Sequence, residues 1–278
     1  MPPAVQAFWD AFHDDDYERL PALITALEEA RAATPGDFDL EFIAAHAQLW
    51  QIAEASRNPS STDAATLEGV MNAVDGFERA EALRPDDARI PCWRGLLQLQ
   101  TGRLFGDATL IEAGQAGLDR AVEEFPEFGW FCRFYADWEQ PVESEAFQAA
   151  VQAGWNSVDV CTDTPMDREH PDVAPFLDQA TDEGPRRVCW NLDVVPHNEE
   201  GYWLMMGDLL AKDGQTDVAR TLYENARYRD SYDSWIFRPE LEARLTTLDD
   251  RVASYRDADP TNDAALGLAN GCVVCHAD

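Results

Sequence analysis

Two thiols and an imidazole stand together in Cys272-Val273-Val274-Cys275-His276. Cysteines three residues apart can each form a thioether with a vinyl group of haem, and the adjacent imidazole can then reach the iron as an axial ligand. With 6 Cys and 5 His among 278 residues, random placement would give this pattern only about 2 times in a thousand, so chance explains it poorly. Other chemistry remains open to the same residues. A structural zinc site would need a fourth ligand, often a second Cys pair, from a rigid neighbourhood, and the sequence offers none. A dithiol redox pair usually opens a helix in a βαβ context, which is missing. The last alternative is a tail that carries no modification.

The preceding residues, Asp263-Ala264-Ala265-Leu266-Gly267-Leu268-Ala269-Asn270-Gly271, are similar to the short helix that leads into the haem site of many c-type cytochromes. That resemblance implies one haem c per chain, anchored by Cys272 and Cys275 with His276 on the iron; zinc or no cofactor is the alternative. In single-haem members of that family the motif comes early, and the following chain wraps the haem and usually returns a Met as sixth ligand. Here only Ala277 and Asp278 follow. Cover for the porphyrin must therefore come from upstream residues, a second copy or a partner, because apolar area left in water forfeits about 25 cal/mol per Å². The tail from Asp257 to Gly271 can extend roughly 50 Å, enough to return along the protein, and no helix core is expected to depend on residues 271–278. His197, Met205 and Met206 are the nearest candidates in sequence for the sixth position, although core packing is the ordinary role of such methionines. His46, among Phe42, Ile43, Leu49 and Trp50, reads as a packed or half-buried helix residue; His13, beside Asp14, Asp15 and Asp16, reads as part of a solvated loop.

Four further cysteines fall elsewhere. Cys92 and Cys132 lie in successive helical segments beside Trp93 and Phe131 and read as buried thiols. Helices pack roughly 8 to 10 Å apart, which exceeds what a disulfide tolerates, so these two are not expected to bridge. Cys161 and Cys189 bracket an irregular acidic stretch, where a disulfide would restrain a long loop if the compartment is oxidising.

The elements that must position these groups are helical. Helical periodicity dominates, and alternating β-branched runs are almost absent. Aligning Pro35, Pro85 and Pro126 superimposes Leu27, Phe77 and Leu118, each followed by an acid, and then Ala30, Ala80 and Ala121. Tyr223, Glu224 and Ala226 repeat the pattern, with Ser231 in place of the proline. A small Ala lets neighbouring helices approach, and Pro ends one helix and suits the start of the next. These segments resemble the second helix of a tetratricopeptide (TPR) repeat, most closely over 201–231, where Trp203, Leu204, Gly207, Leu210, Gly214, Ala219, Tyr223 and Ala226 fit a helix-turn-helix. The resemblance implies an all-α protein, a TPR-like α-α superhelix of antiparallel helix pairs with a C-terminal tail. The expected division is an N-terminal array over 4–154, a Pro- and acid-rich connection over 155–197, further helix pairs over 198–256, and the tail over 257–278.

The formal net charge is −32, from 53 Asp and Glu against 21 Lys and Arg, with Lys212 the single lysine. Such a surface repels phosphates and anionic headgroups, which excludes nucleic-acid binding and suits basic partners or a salty environment. No apolar stretch is long enough to span a membrane. The first ten residues lack the basic start and apolar run of a signal peptide, so a periplasmic or otherwise extracytoplasmic haem protein would require a leader ahead of Pro2. Phosphate loops, nucleophile elbows, zinc-protease helices and dinucleotide fingerprints are absent. Asp257, Asp259 and Asp263 mimic part of a calcium loop, but Asn262 and Leu268 replace its glycine and closing glutamate. The expected function is an extracytoplasmic electron-transfer protein or haem-bearing subunit of a redox assembly, with the TPR-like body docking a protein partner or a second copy. The alternative is a TPR-type interaction scaffold with an unmodified or metal-binding tail. An enzyme using an open iron position stands third, since no acid-base pair can be named.

Overall fold

The computed structural model describes residues 1–54, 63–177, 184, 187–190, 194–257 and 272–276. The helices are α1 (Pro3–His13), α2 (Leu20–Ala33), α3 (Phe38–Ala53), α4 (Asp63–Leu83), α5 (Arg89–Phe105), α6 (Ala108–Glu124), α7 (Pro126–Asp137), α8 (Glu145–Thr162), α9 (Arg187–Trp190), α10 (Asn198–Asp213), α11 (Thr216–Asn225), α12 (Arg238–Ser254) and α13 (Val273–His276). No strand occurs among the described residues. The protein is thus all-α, and its helices pack in sequence-adjacent pairs, most extensively α3 with α4, α5 with α6 and α10 with α11. Two compact units meet in sequence between Ala136 and Asp137; Val274 to His276 belong to the second, Cys272 and Val273 to the first.

Local chemistry sets the helix ends. Asp37, Asp107 and Ser144 accept hydrogen bonds from first-turn backbone N–H groups of α3, α6 and α8 through their side-chain oxygens, which satisfies donors that the helix itself leaves open. Gly106, with φ of 67°, ends α5, and Gly214, with φ of 83°, ends α10; both conformations suit glycine because it lacks a Cβ. The aligned prolines fall just past α2 and α4 and at the first position of α7.

In the first unit the aligned large residues Leu27, Phe77 and Leu118 are wholly buried, as are Ala80 and Ala121, whereas Ala30 is half-buried. Glycines bring α5 and α6 into backbone contact: a Cβ on Gly114 would sit 2.5 Å from the Leu99 nitrogen, and one on Gly95 2.9 Å from the Gly114 oxygen. A Cβ on Gly129 of α7 would likewise lie 2.5 Å from Ala121 of α6. This close stacking corrects the expectation for Cys92 and Cys132. They form a disulfide with Cα atoms 5.8 Å apart, inside a core of Leu96, Leu99, Leu118 and Ala121. A packing distance of about 8 to 10 Å separates helix axes, and residues facing one another across it stand nearer by up to two helix radii of about 2.3 Å each.

In the second unit α10 is buried on all faces, from Glu199 to Ala211, as expected of a helix surrounded by others. Gly207 lies directly against the Tyr223 ring of α11. The expected boundary at 154/155 falls inside α8, because Val151, Trp155, Val158 and Cys161 continue one buried helical stripe to Thr162. Cys161 and Cys189 are bridged as expected, with Cα atoms 5.6 Å apart. Lys212 places its ammonium 3.4, 3.1 and 2.8 Å from the carbonyl oxygens of Trp138, Glu139 and Gln140 and near the Phe147 ring.

Candidate functional site around Cys275 and His276

The second unit builds a receptor for the end of the chain at the head of α10. The disulfide fastens α9 to α8, and the Asn198 side chain donates to the carbonyls of Val188 and Cys189 at 3.0 and 2.7 Å. These contacts fix the residues that enter α10. The backbone N–H of His197 donates to the Cys275 carbonyl at 2.9 Å, and the Trp235 indole N–H donates to the Val274 carbonyl at 2.8 Å. The Val274 side chain is 1% exposed. The end of the motif is therefore part of the second unit's core, which corrects the expectation that no core depends on residues 271–278. The lead-in helix expected over 263–271 and most of the residues that only partly mimic a calcium loop lie outside the described residues.

His276 Nδ1 stands 3.1 Å from the Val194 carbonyl oxygen. A carbonyl only accepts, so the proton sits on Nδ1 and the neutral ring's lone pair on Nε2. A carbonyl bonded in this way orients a histidine for metal ligation. The Cys275 sulfur lies against Gly201 of α10, where any Cβ would collide with it. Burial, reinforced by the Glu200 carboxylate, pushes the Cys275 thiol up to about 12. In this position the thiol stays protonated and is a poor nucleophile.

Two acids lie beneath the motif. Glu199 pairs with Arg229, while Glu200 Oε1 accepts from the Ser231 hydroxyl at 2.5 Å and stands 3.2 Å from His197 Nδ1. Both occupy the first turn of α10, where the helix dipole favours negative charge. Of the three candidates for the sixth iron position, His197 is brought beside the motif, buried and engaged through its backbone N–H and through Nδ1. Met205 and Met206 are buried core residues. Met205 is one turn on from Gly201 and shares its face, whereas Met206 lies roughly 140° around the helix.

His46 and His13 lie in the first unit. His46 packs half-buried against the Phe42, Phe77 and Trp93 rings, as expected. His13 is the last residue of α1, its ring 5.8 Å from that of Trp9, rather than part of a solvated loop. Sequence reasoning missed Gly201, Trp235 and Val194 as partners of the motif. Only Gly201, one of two glycines in an otherwise well-formed helix, signalled a close approach.

The residue types of Cys272, Cys275 and His276 suit a covalently held haem. In the docked position the Cys275 sulfur is closed on the side that faces Gly201, so a thioether on that side would collide with α10. No group of three or more His, Cys, Asp or Glu suited to a metal ion occurs among the described residues, and none of the described helices is long and apolar enough to cross a membrane. Neither a protein-family model nor a curated protein matches this chain.

Proposed function

We propose that this is an extracytoplasmic c-type haem protein in which a TPR-like helical body docks a protein partner and Cys272, Cys275 and His276 hold one haem for electron transfer. One observation carries this reading. Four of the six cysteines are spent in disulfides, and the two outside them are the pair in the Cys-X-X-Cys-His motif. Disulfides belong to oxidising compartments, which is where covalent haem attachment takes place in bacteria. Bound haem would supply one-electron chemistry. The thioethers of Cys272 and Cys275 would fix its orientation, and His276 would hold the iron. His197, buried beside the motif, would be the candidate second iron ligand.

The alternative is a TPR-type interaction scaffold whose tail is unmodified. The burial of Val274 in the second unit's core favours it, because an unmodified α13 already has a structural role. Expression of the full chain with haem-attachment machinery separates the two. A c-type pyridine haemochrome spectrum with a mass increase of one haem, both lost in Cys272→Ala/Cys275→Ala, supports the haem reading. An unmodified mass and no haem spectrum leaves the scaffold.

A further inference from the structure

The receptor at the head of α10 and the chemistry of Cys275 compete for the same space. Gly201 has no Cβ, and the Cys275 sulfur and the Val274 carbonyl fill the room this leaves. Three hydrogen bonds keep them there, from His197 N–H to the Cys275 carbonyl, from the Trp235 indole to the Val274 carbonyl, and from His276 Nδ1–H to the Val194 carbonyl. Val274 is buried in the same movement. A group added on the side of the sulfur that faces α10 must enter the space held by Gly201. The helix cannot rotate to admit it without breaking these bonds and withdrawing Val274.

We infer that α13 is a latch: covalent modification of Cys275 and docking of α13 exclude each other, and Gly201 enforces the exclusion by leaving room for a bare thiol and nothing larger. In the docked state the thiol packs against Gly201. In the modified state the receptor formed by the His197 N–H, the Trp235 indole and the hole left by Val274 is open. The inference goes beyond the haem proposal and holds for any adduct of this thiol; if haem is attached, α13 is undocked.

The test uses N-ethylmaleimide on the full chain carrying Cys272→Ser, so that its failure is separate from failure of the haem reading. In this reaction the sulfur–carbon bond forms by addition across the maleimide double bond, the thiol proton ends on the neighbouring carbon, and no oxidant is needed. Labelling of Cys275 in the folded protein is expected to be at least about tenfold slower than in the urea-unfolded chain at the same pH. Trp235→Phe removes one donor and should accelerate folded-state labelling roughly fivefold. Gly201→Ala should accelerate it further, and Trp235→Phe keeps the test valid if that variant does not fold. After labelling, the Trp235 indole N–H resonance should move towards its solvent-exposed position. Labelling as fast in the folded as in the unfolded chain, or a labelled protein with an unmoved Trp235 resonance, would overturn the latch.

Discussion

The Tyr223 hydroxyl donates to Asp208 Oδ1 at 2.6 Å, and both side chains are fully buried. Arg244 adds 3.1 and 3.2 Å contacts to the two carboxylate oxygens, and Arg251 is a third partner at 3.6 Å. Because Asp208 keeps its arginines, Tyr223→Phe is expected to cost only about 1 to 2 kcal/mol. Asp208→Ala removes the carboxylate that pairs the largely covered Arg244 guanidinium and should cost about 3 to 5 kcal/mol. Urea unfolding at neutral pH measures both. Burial and the neighbouring carboxylate hold the Tyr223 hydroxyl well above its ordinary value of 10.0. A raised folded-state value contributes stability that is intact below 10 and lost as pH rises from there, so wild type should weaken in alkali more steeply than Tyr223→Phe.

His46 gives the opposite signature. Burial lowers it to about 4 from an ordinary 6.5, against the pull of its bond to the Phe42 carbonyl. Stability from the neutral ring is complete above 6.5 and lost as pH falls towards 4. A ring-proton titration by NMR should show a midpoint near the lower value, and a midpoint near 6.5 would contradict the packing described for this residue.

Each disulfide should matter separately. Cys92 and Cys132 are 40 residues apart and Cys161 and Cys189 are 28 apart, and chain-entropy estimates for loops of these sizes come to roughly 4 kcal/mol each. Single Cys→Ala pairs should therefore lower the thermal midpoint measurably. Peptide mapping without reduction should recover 92–132 and 161–189 as the linked pairs; a 272–275 crosslink in their place would contradict the assignment.

How much of this was legible in the sequence depended on whether the signal was local. Leu27, Phe77, Leu118 and Tyr223 share one repeat position, and all four are wholly buried, because a helix's apolar stripe is written in consecutive residues. Pro35, Pro85 and Pro126 marked helix ends for the same reason. The Cys161–Cys189 bridge was legible because it closes a single irregular stretch. Cys92 and Cys132 were misjudged because their separation depends on glycines in a third helix, α6, and on Gly129. Likewise Trp235 and Val274 are 39 residues apart, and no period or motif connects them. His197 was singled out for its imidazole, yet it meets the motif through its backbone.

Val274 converts that long-range contact into a measurable one. Val274→Ala removes two buried methyl groups and should destabilise the second unit by about 1 to 3 kcal/mol. Removal of residues 271–278 should cost at least as much. If calorimetry shows the truncated chain unfolding at the wild-type temperature, the docking of α13 contributes nothing to the core.

Lys212 is expected to resist its most conservative replacement. Three carbonyls converge on one point, which suits a compact ammonium with three donors and not a planar guanidinium. Lys212→Arg should lose about 1 kcal/mol, close to the loss in Lys212→Met, as read from thermal unfolding of the two variants.

The enclosure of α10 has a dynamic consequence. A helix with neighbours on every side has no face from which to open alone, so its central amides can meet solvent only when the surrounding helices come apart together. Deuterium should enter Leu204 to Leu210 at one shared slow rate that follows the urea dependence of global unfolding, while α12, with Leu241 and Leu248 its only buried residues, should exchange by smaller, denaturant-insensitive openings. The second unit would then behave as one cooperative block with a fraying outer layer, and its unfolding free energy could be read from a handful of amides in a single helix.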